Sequence, residues 1–354
     1  MCASFLDGFL KGAAIDLGTV NTLIAIKGKG IVLREPSAVA ISNMSRNEII
    51  AIGNAAPKLL GRTPGGITIV HPLKDGVIAD MSLATVMLTS FMQRALGKRP
   101  SILGLNTVIC VPGCITNVER NAIEEAARCA GARNVFILEE SLAAAIGAEL
   151  DIYSGVGSMV VDIGGGTTDA AVICYSGIAS AQSVRIGGTH INEAIINYIR
   201  SQFGLIIGDK TAENLKLMTG LNCFGDTRMI RIKGRRMDTG LPDTVEIKAS
   251  DVSRAIEPTA DLIVRAIKDT LASTPPELAG DVMDTGITLT GGGALLGGLC
   301  ERVAQETGIK THIADGCGDC VIIGALKMLE NLSAFEPIDQ NRSADGSGRA
   351  FGAI

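Results

Sequence analysis

The chain has 354 residues, of which 47% are hydrophobic and 3% aromatic, and its formal net charge is −5. This length and apolar content indicate large buried cores divided between two or more subdomains. Because tryptophan is absent and there are 43 glycines, the composition favours an α/β fold with an aliphatic interior. The acidic balance and the lack of a Lys/Arg block exclude general attraction to polyanions, so we expect no nucleic-acid partner.

The nine cysteines are odd in number, scattered and mostly set in apolar runs, which is typical of reduced cysteines in a cytosolic protein. Cys317 and Cys320 are separated by two residues, a spacing found in redox motifs and in zinc sites. Because the sequence offers no second pair of ligands, we expect no zinc site there.

The chain contains no apolar run of the roughly 20 residues that a membrane span needs, and its start lacks the features of a signal peptide. Four apolar residues near the start have helical spacing: Phe5, Leu6, Phe9 and Leu10. Such a segment lies on a membrane surface, frays as a chain terminus or packs as a first strand.

In chain order, the first elements after residue 20 are predicted strands at residues 22–26 and 31–33, joined by a glycine turn. Residues 31–71 are rich in β-branched side chains and broken by proline and glycine, which indicates a small insertion. Residues 80–96 have an amphipathic helical pattern that begins at a capping aspartate, Asp80, and stops at a glycine.

From residue 107 onward strands and helices alternate, which predicts mixed sheets flanked by helices. A buried strand at residues 107–112 precedes a helix that opens on a capping box between Thr116 and Glu119. Four further elements are predicted: a strand at 134–138, a helix at 141–150, a strand at 158–163 and an antiparallel strand at 170–175.

The second half contains a further insertion, residues 186–255, and a long helix at 252–271 that returns the chain to the second core. A buried strand at 287–290 then opens into three glycines, where a flat base or sugar can lie against the bare backbone. The Ser- and Gly-rich tail after residue 335 lacks apolar periodicity and is predicted to be disordered.

Two segments share one pattern, a strand that delivers an aspartate into a glycine turn. They are residues 15–19 (Ile-Asp-Leu-Gly-Thr) and 161–169 (Val-Asp-Ile-Gly-Gly-Gly-Thr-Thr-Asp). Glycine lets a phosphate approach backbone N–H groups, and aspartate oxygens hold Mg²⁺ directly or through its water shell. One copy alone fits a solvated turn equally well, but the pair predicts two related lobes that grip one polyphosphate.

The two glycine turns and the later three-glycine cluster occur in an order, with Glu139-Glu140-Ser141 between the first two, that resembles the actin, Hsp70 and sugar-kinase superfamily. Within this superfamily the chain resembles the MreB family of bacterial actin-like cell-shape proteins. The resemblance extends from about residue 13 to residue 332. It rests on residues 16–22, 61–65, 72–80, 139–147, 162–168, 185–188, 211–213, 276–279 and 290–296. It implies an α/β, actin-like fold: two related lobes, each a mixed sheet flanked by helices with a small inserted subdomain, and a nucleotide cleft between them.

The resemblance also implies limits for the subdomains. The core of the first lobe (IA) is expected to comprise residues 1–30, 72–145 and 325–335, with an insertion (IB) at 31–71. The core of the second lobe (IIA) is expected to comprise residues 146–185 and 256–324, with an insertion (IIB) at 186–255. A disordered tail is expected at 336–354.

The resemblance implies ATP and Mg²⁺ as cofactors and a slow ATP hydrolysis coupled to filament assembly. Asp16 and Asp162 are expected to hold the metal, and Glu140, Asp162 and Thr167 to be catalytic, with Glu140 polarising the attacking water. Adjacent residues point in different directions, so only one of the two glutamates can face the cleft. The resemblance selects Glu140, and Glu139 is expected to be structural. The expected nucleotide-binding residues are Gly18, Thr19, Val20, Asn21, Gly164, Gly165, Gly166, Thr167, Gly188, Glu213, Lys216, Gly291, Gly292, Gly293 and Ala294.

Three positions depart from the family pattern, and one pair of residues allows a second interpretation. Thr189 and Asn192 stand where the family usually has acidic residues, and Ser141 stands where it has proline, which fits a divergent paralogue with slowed hydrolysis. Glu213 and Lys216, three apart on a predicted helix, fit either the ribose and adenine edge or a solvated ion pair.

As partners, the resemblance implies other copies in antiparallel protofilament pairs, the inner face of the cytoplasmic membrane, and membrane-bound cell-shape and elongation proteins. The expected location is therefore cytoplasmic and peripheral at that membrane. The helix after Thr116, with Val118, corresponds to the surface where protofilaments face each other. Ile102 and Leu103 match a membrane-contacting loop, although ordinary packing explains them equally well.

The leading interpretation is an ATP-driven filament protein that organises cell-wall synthesis and maintains cell shape. A sugar kinase of the same superfamily is the first alternative, but we locate neither the aspartate base nor the longer chain of such a kinase. An Hsp70-type chaperone lacks support because no substrate-binding domain follows residue 335. The third alternative is a nucleotide-binding scaffold that does not hydrolyse ATP.

Overall fold

The structure is a computed structural model that describes residues 12–43, 48–59, 66–97, 105–223 and 225–331. Several sequence predictions lie outside the described residues: the apolar residues Phe5, Leu6, Phe9 and Leu10, the motif at 61–65, the pair Ile102 and Leu103, and the tail at 336–354.

The strands are, in chain order, β1 (Gly12–Leu17), β2 (Asn21–Ile26), β3 (Gly30–Pro36), β4 (Val39–Ser42), β5 (Glu48–Ile52), β6 (Ile67–Val70), β7 (Leu73–Lys74), β8 (Val77–Ile78), β9 (Leu105–Val111), β10 (Ala132–Glu139), β11 (Ser158–Ile163), β12 (Thr168–Cys174), β13 (Gly177–Val184), β14 (Leu205–Ile206), β15 (Met229–Arg236), β16 (Pro242–Lys248), β17 (Ile287–Thr290) and β18 (Thr311–Ile313). The α-helices are α1 (Met81–Leu96), α2 (Asn117–Cys129), α3 (Glu140–Gly147), α4 (Gly188–Phe203), α5 (Asp209–Thr219), α6 (Ala249–Ser273), α7 (Pro276–Thr285), α8 (Leu299–Thr307) and α9 (Cys320–Glu330).

Two five-stranded mixed sheets have the same topology. The first has the order β10-β9-β1-β2-β3 and the second the order β13-β12-β11-β17-β18. In each sheet an antiparallel meander of three strands is extended by two parallel strands next to its first strand. The repeated topology confirms the two related lobes that the paired motifs predicted.

Smaller sheets accompany each lobe. β5-β4-β6 and the pair β7-β8 lie in the first half of the chain, and β14-β15-β16 lies in the second half. β3 pairs with β2 along residues 30–36, so the small sheet of the first lobe begins after this strand. The subdomain limits stay predictions.

Strand alternation divides the apolar side chains among separate cores. Along β1, Ala13 and Ile15 face a core shared with α1 and α2, whereas Ala14 faces a core shared with α3 and α9. That second core also receives Val160 and Ala171 from the other sheet, so α3 and α9 lie between the two lobes. Each central strand contributes to the cores on both faces of its sheet because successive side chains of a strand point to opposite faces.

Helices α3 and α9 cross at backbone contact. A Cβ atom added to Gly324 would overlap the carbonyl of Ala143, and one added to Gly147 would overlap the carbonyl of Cys320. Glycine is required at this crossing because any side chain would separate the two helices that join the lobes.

Local signals in the sequence fix several helix ends. The capping box is confirmed: Glu119 N–H donates to Thr116 Oγ1 at 3.2 Å, and Thr116 N–H donates to Glu119 Oε2 at 2.8 Å. Asp80 caps α1 by accepting from Leu83 N–H at 2.9 Å, as predicted.

Other predicted boundaries were wrong. The helix predicted at 141–150 begins at Glu140 and ends at Gly147, because Glu149 adopts a left-handed φ of 59° that stops the helix. The helix predicted at 252–271 is longer and runs from Ala249 to Ser273. None of the helices in the described ranges combines the length and hydropathy that crossing a bilayer requires.

Candidate active site between two glycine turns

The two predicted phosphate-binding turns touch each other across the cleft. A Cβ atom on Gly165 would overlap the side chain of Val20, and one on Gly166 would lie 2.5 Å from Thr19 Oγ1 and 2.8 Å from the Cα of Asp75. Only glycine permits such an approach. The structure therefore brings residues 18–21 of the first lobe against residues 164–167 of the second.

The first turn is held from within its own lobe. Ser37 Oγ donates to the carbonyl of Gly18 at 2.6 Å, and Thr19 Oγ1 accepts from Gly76 N–H at 2.9 Å. These two bonds fix the Gly18 carbonyl and the Thr19 side chain from within the first lobe.

The second turn is closed by Gly164 N–H, which donates to the carbonyl of Thr167 at 2.9 Å. The start of α4 rests on it: Gly188 N–H donates to the carbonyl of Gly164 at 3.0 Å, and both the N–H and the hydroxyl of Thr189 donate to the carbonyl of Gly165, at 2.9 and 2.8 Å. Thr189 therefore fastens α4 to the turn, a role that a carboxylate could not take because it donates no proton when ionised.

Three predicted carboxylates lie within electrostatic range of one another. Burial raises the pKa of Asp162 to about 7. The Thr290 hydroxyl, which donates to Asp162 Oδ1 at 2.8 Å, opposes this rise because it stabilises the ionised carboxylate. Burial also raises the pKa of Asp16 to about 7, although the positive charge of Arg34 opposes the shift. Burial, followed by neighbouring carboxylates including Asp16 and Asp162, raises the pKa of Glu140 well above its ordinary value.

This donor set fits the predicted metal. Carboxylate oxygens are the ligands that Mg²⁺ prefers, and a divalent cation favours the ionised carboxylates that burial disfavours. Asp16 leads out of β1 and Asp162 out of β11, so the two acids come from equivalent strands of the two lobes. A metal between them would contact both halves of the protein.

The residues predicted for the nucleoside meet beside the second turn. Lys216 Nζ donates to Glu213 Oε2 at 2.7 Å and to the carbonyl of Gly188 at 3.2 Å. Asn192 Nδ2 also donates to Glu213 Oε2, at 2.8 Å, so the amide that replaces the family's acidic residue binds the Glu213 carboxylate instead of repelling it.

The third glycine cluster packs on the end of β11. A Cβ on Gly291 would overlap the carbonyl of Ile163, and a Cβ on Gly293 would overlap the Ile163 side chain, whereas Gly292 has open space. Ala294 is fully buried in the second lobe's core. The predicted adenosine loop therefore adjoins the predicted phosphate turn, with Gly292 as its accessible point.

Sequence reasoning missed Asp169, which the structure places at the centre of the site. It is buried, it pairs with Asp162 in the β11–β12 register, and its Oδ1 accepts from Gly113 N–H of the other lobe at 2.8 Å. Its charge is the largest electrostatic cause, after burial, of the raised Glu140 pKa. The signal in the sequence that could have identified Asp169 as a site residue was its position opposite Asp162 in the predicted hairpin.

A small cavity adjoins Asp169. It has a volume of about 140 Å³, and its lining comes from both lobes: Gly113, Cys114, Glu139, Ser141, Asp169, Ala170, Ala181, Gln182 and Ser183. Glu139 and Glu140 therefore do point differently, since Glu139 lines this cavity while Glu140 faces the other carboxylates. The second oxygen of Asp169 and the Ser183 hydroxyl are buried here without a hydrogen-bond partner among the described residues, which makes the cavity suitable for water.

Arg34 was also missed. Asp16, Leu23 and Arg34 form one row across β1, β2 and β3, so their side chains share a face of the sheet. Arg34 reaches along this row to an ion pair with Asp319 at the start of α9. The register could not be read from sequence, because a bulge between β2 and β3 shifts it.

Cys317 and Cys320 are buried, and all eight cysteines in the described part of the chain are free. No three His, Cys, Asp or Glu side chains of the described residues form a complete ion site, so a cation held by Asp16 and Asp162 would take its other ligands from water or phosphate. Burial raises the pKa of Cys320 to about 11 and also raises that of Cys317, so both favour the unreactive thiol.

Two lobes of identical sheet topology, joined by α3 and α9 and meeting at paired glycine turns, define a protein with an actin-like fold. The chain belongs to the MreB/Mbl protein family, whose family model matches residues 11–337. It is 44% identical over 330 residues to the cell shape-determining protein Mbl of Bacillus subtilis, covering 92% of this chain and 97% of that one. It is 45% identical over 339 residues to the cell shape-determining protein MreB of Escherichia coli K12, covering 94% and 97%.

Solved structures agree with this assignment. MreB5 of Spiroplasma citri bound to ADP matches with a TM-score of 0.84 and 36% identity, covering 91% of this chain and 97% of that chain. The same protein bound to AMPPNP matches with a TM-score of 0.85, covering 92% and 97%. The MamK double helical filament, at 20% identity and a TM-score of 0.74, shares the fold.

Proposed function

We propose that this chain is a slow actin-like ATPase that binds ATP and Mg²⁺ in the cleft and assembles into filaments. The observation that carries the proposal is the contact between residues 18–21 and 164–167 beside three carboxylates, Asp16 and the buried Glu140 and Asp162. A related protein has been solved with ADP and with AMPPNP, and a protein of the same fold forms a double helical filament.

In this proposal each turn supplies backbone N–H groups to the phosphates, which need fixed positive charge and no side-chain bulk. Asp16 and Asp162 hold the cation, which supplies charge neutralisation for phosphoryl transfer when bound. Glu140 orients and polarises the attacking water, and the Thr167 hydroxyl helps to place it. Glu213, Lys216 and Gly188 hold the ribose side, and residues 291–294 receive the adenosine.

The cellular role follows from the family. We place the filaments at the inner face of the cytoplasmic membrane, where they organise cell-wall synthesis together with membrane-bound cell-shape and elongation proteins. The proposed membrane contacts are residues 1–11 with Ile102 and Leu103. Co-sedimentation with anionic vesicles tests this, since a variant that lacks residues 1–11 and carries Ile102→Ser and Leu103→Ser should no longer bind. Equal binding by wild type and variant would show that these contacts are misplaced.

The enzymatic part is tested with Glu140→Ala. We expect nucleotide affinity to be kept and phosphate release to fall by roughly 10²-fold or more, because a positioned proton acceptor is lost. Glu139→Ala is the matched control, since it removes the same charge one residue away. Unchanged turnover in Glu140→Ala would refute the assignment.

Assembly is tested by pelleting with and without ATP and Mg²⁺. Nucleotide-dependent sedimentation supports the filament proposal. A persistently monomeric protein that transfers phosphate to a sugar would instead establish the kinase alternative, and assembly without any phosphate release would establish the scaffold.

A further inference from the structure

The residues beside the second phosphate turn form a closed hydrogen-bonded ring between two helices. Asn192 Nδ2 and Lys216 Nζ both donate to Glu213 Oε2, at 2.8 and 2.7 Å. Lys216 Nζ also donates to the carbonyl of Gly188 at 3.2 Å, and Gly188 and Asn192 lie four residues apart on one face of α4. The ring therefore ties Glu213 of α5 to the start of α4.

The ring also fixes Glu213 relative to the phosphate turn. Gly188 N–H donates to the carbonyl of Gly164 at 3.0 Å, and a Cβ atom on Gly187 would overlap that same carbonyl. Because α4 begins in backbone contact with the turn, the Glu213 carboxylate is held at a defined place relative to the residues proposed to bind phosphate.

Both donors of the ring bind the same carboxylate oxygen. Glu213 Oε2 accepts from Asn192 and from Lys216, whereas Oε1 accepts no hydrogen bond from any residue that the structure describes. The Glu213 side chain is 42% exposed and the Lys216 side chain only 12%, so the carboxylate is the accessible member of the pair. An ionised carboxylate only accepts hydrogen bonds, so Oε1 suits a ligand that donates one, such as a sugar hydroxyl.

The stability of the fold does not account for Asn192. Its Oδ1 is buried without a hydrogen-bond partner within the described ranges, and such an atom costs stability. At its other end, Nδ2 holds the Glu213 carboxylate. A side chain that destabilises the fold at one end and orients a site residue at the other is typical of a functional position.

We propose that Asn192 is a positioning residue that holds Glu213 with Oε1 ready to accept a sugar hydroxyl, so that the site selects ribonucleotides over deoxyribonucleotides. The inference rests on the proposed binding of ATP and identifies the sugar as a part of the ligand that determines its affinity. A site built to bind a hydroxyl rejects an analogue that lacks it, because a polar group is then left unpaired. An amide at position 192 serves this purpose, since a second carboxylate would donate no proton and would repel Glu213.

Nucleotide affinities test the proposal. Titration calorimetry with ATP, 2′-deoxy-ATP and 3′-deoxy-ATP measures the selection by each hydroxyl. Wild type should bind ATP at least roughly tenfold more tightly than one or both deoxy analogues, because a hydrogen bond to a charged group is lost. Asn192→Leu, similar in size and without a donor, should bind ATP and the analogues within about threefold of one another. Its affinity for the rejected analogues should equal that of wild type, since they cannot form the bond that the substitution disturbs.

Matched variants separate positioning from structure. Asn192→Asp keeps the shape of the side chain and removes the donor, so it should lose the preference for ATP as Asn192→Leu does. Asn197→Leu makes the same replacement on an exposed residue of α4 and should keep the preference. The midpoint of thermal unfolding of Asn192→Leu should equal or exceed that of wild type, because the unpaired buried Oδ1 is removed.

A double variant tests whether Asn192 acts through Glu213. Glu213→Ala should lose the same preference, and adding Asn192→Leu should have no further effect, since both substitutions remove one interaction. Additive losses would show that Asn192 acts by another route and would overturn the inference.

The outcomes are distinct. Loss of the preference with unchanged affinity for the rejected analogues supports the proposal. Three results overturn it while the proposed ATPase stands: a wild type that binds all three nucleotides equally, an Asn192→Leu protein that keeps the preference, or one that binds all three more weakly by the same factor. If Asn192→Leu does not fold, Asn192→Asp decides in the same way. A wild type that binds none of the three nucleotides overturns the proposed function as well.

Discussion

Asp169 Oδ1 accepts the backbone N–H of Gly113 at 2.8 Å, and this one hydrogen bond joins the lobes beside Glu140. Gly113 lies in the turn between β9 and α2, whereas Asp169 lies on β12. An ion pair between Arg185 and Glu119, at 3.0 Å, crosses the same boundary nearby. Lobe closure and the position of the carboxylates are therefore mechanically linked.

Replacing Asp169 by alanine and by asparagine distinguishes the effect of its charge from the effect of its hydrogen bond to Gly113. Asp169→Ala removes the acceptor of the Gly113 N–H, a partly buried hydrogen bond worth about 1 kcal/mol, and should lower the midpoint of thermal unfolding. Asp169→Asn keeps an acceptor oxygen and removes the repulsion on Glu140, so we expect near-normal stability and a lowered Glu140 pKa. Thermal unfolding of both variants is the measurement. Equal midpoints for Ala and Asn would show that the bond does not stabilise the closed arrangement.

Gly165→Ala should weaken nucleotide binding by forcing the two turns apart. The added methyl overlaps the Val20 side chain, and a shift of the whole turn is needed to relieve it. The fold should be unaffected because the overlap is between lobes. We expect at least roughly tenfold weaker ATP affinity by titration calorimetry. The double variant with Val20→Ala should recover part of the loss, and Gly208→Ala, where the new methyl meets open space, is the control.

Gly324→Ala should destabilise the whole protein. Its methyl overlaps the carbonyl of Ala143, which is backbone and cannot rotate away, so α3 and α9 must separate. Overpacking usually costs 1–3 kcal/mol, and a backbone clash at the joint between lobes should reach about 3 kcal/mol or more in urea unfolding. Gly280→Ala, on an exposed helix with no neighbour within 4 Å, should instead be neutral or stabilising. Comparable stability of the two variants would contradict the tight crossing.

Local chemistry explains which features the sequence could predict. The capping box at Thr116, the cap at Asp80 and the two glycine hairpins depend on residues a few positions apart, and all of these elements form as predicted. The contacts Asp169 with Gly113 and Arg34 with Asp319 join residues 56 and 285 positions apart, and no local pattern specifies them. The end of α3 was misplaced because the left-handed turn at Glu149 is held by tertiary contacts, including the Glu149 ion pair with Lys327 at 2.9 Å.

Without nucleotide and metal, the protein should become less stable as the pH rises. Burial raises the folded-state pKa of Asp16 and of Asp162 from 3.8 to about 7, so between these values the folded state binds more protons than the unfolded state. The contribution of these two groups to the free energy of unfolding is therefore greatest below about pH 4. It falls as the pH rises and levels off above about pH 7. Urea unfolding from about pH 5 to pH 8 measures the slope, and Asp162→Asn should reduce it because one titrating group is removed. Addition of ATP and Mg²⁺ should also flatten the profile, since a bound cation favours the ionised carboxylates. A stability that rises over this interval in the absence of ligand would show that the carboxylates are ionised in the folded protein and that the site needs no cation to balance them.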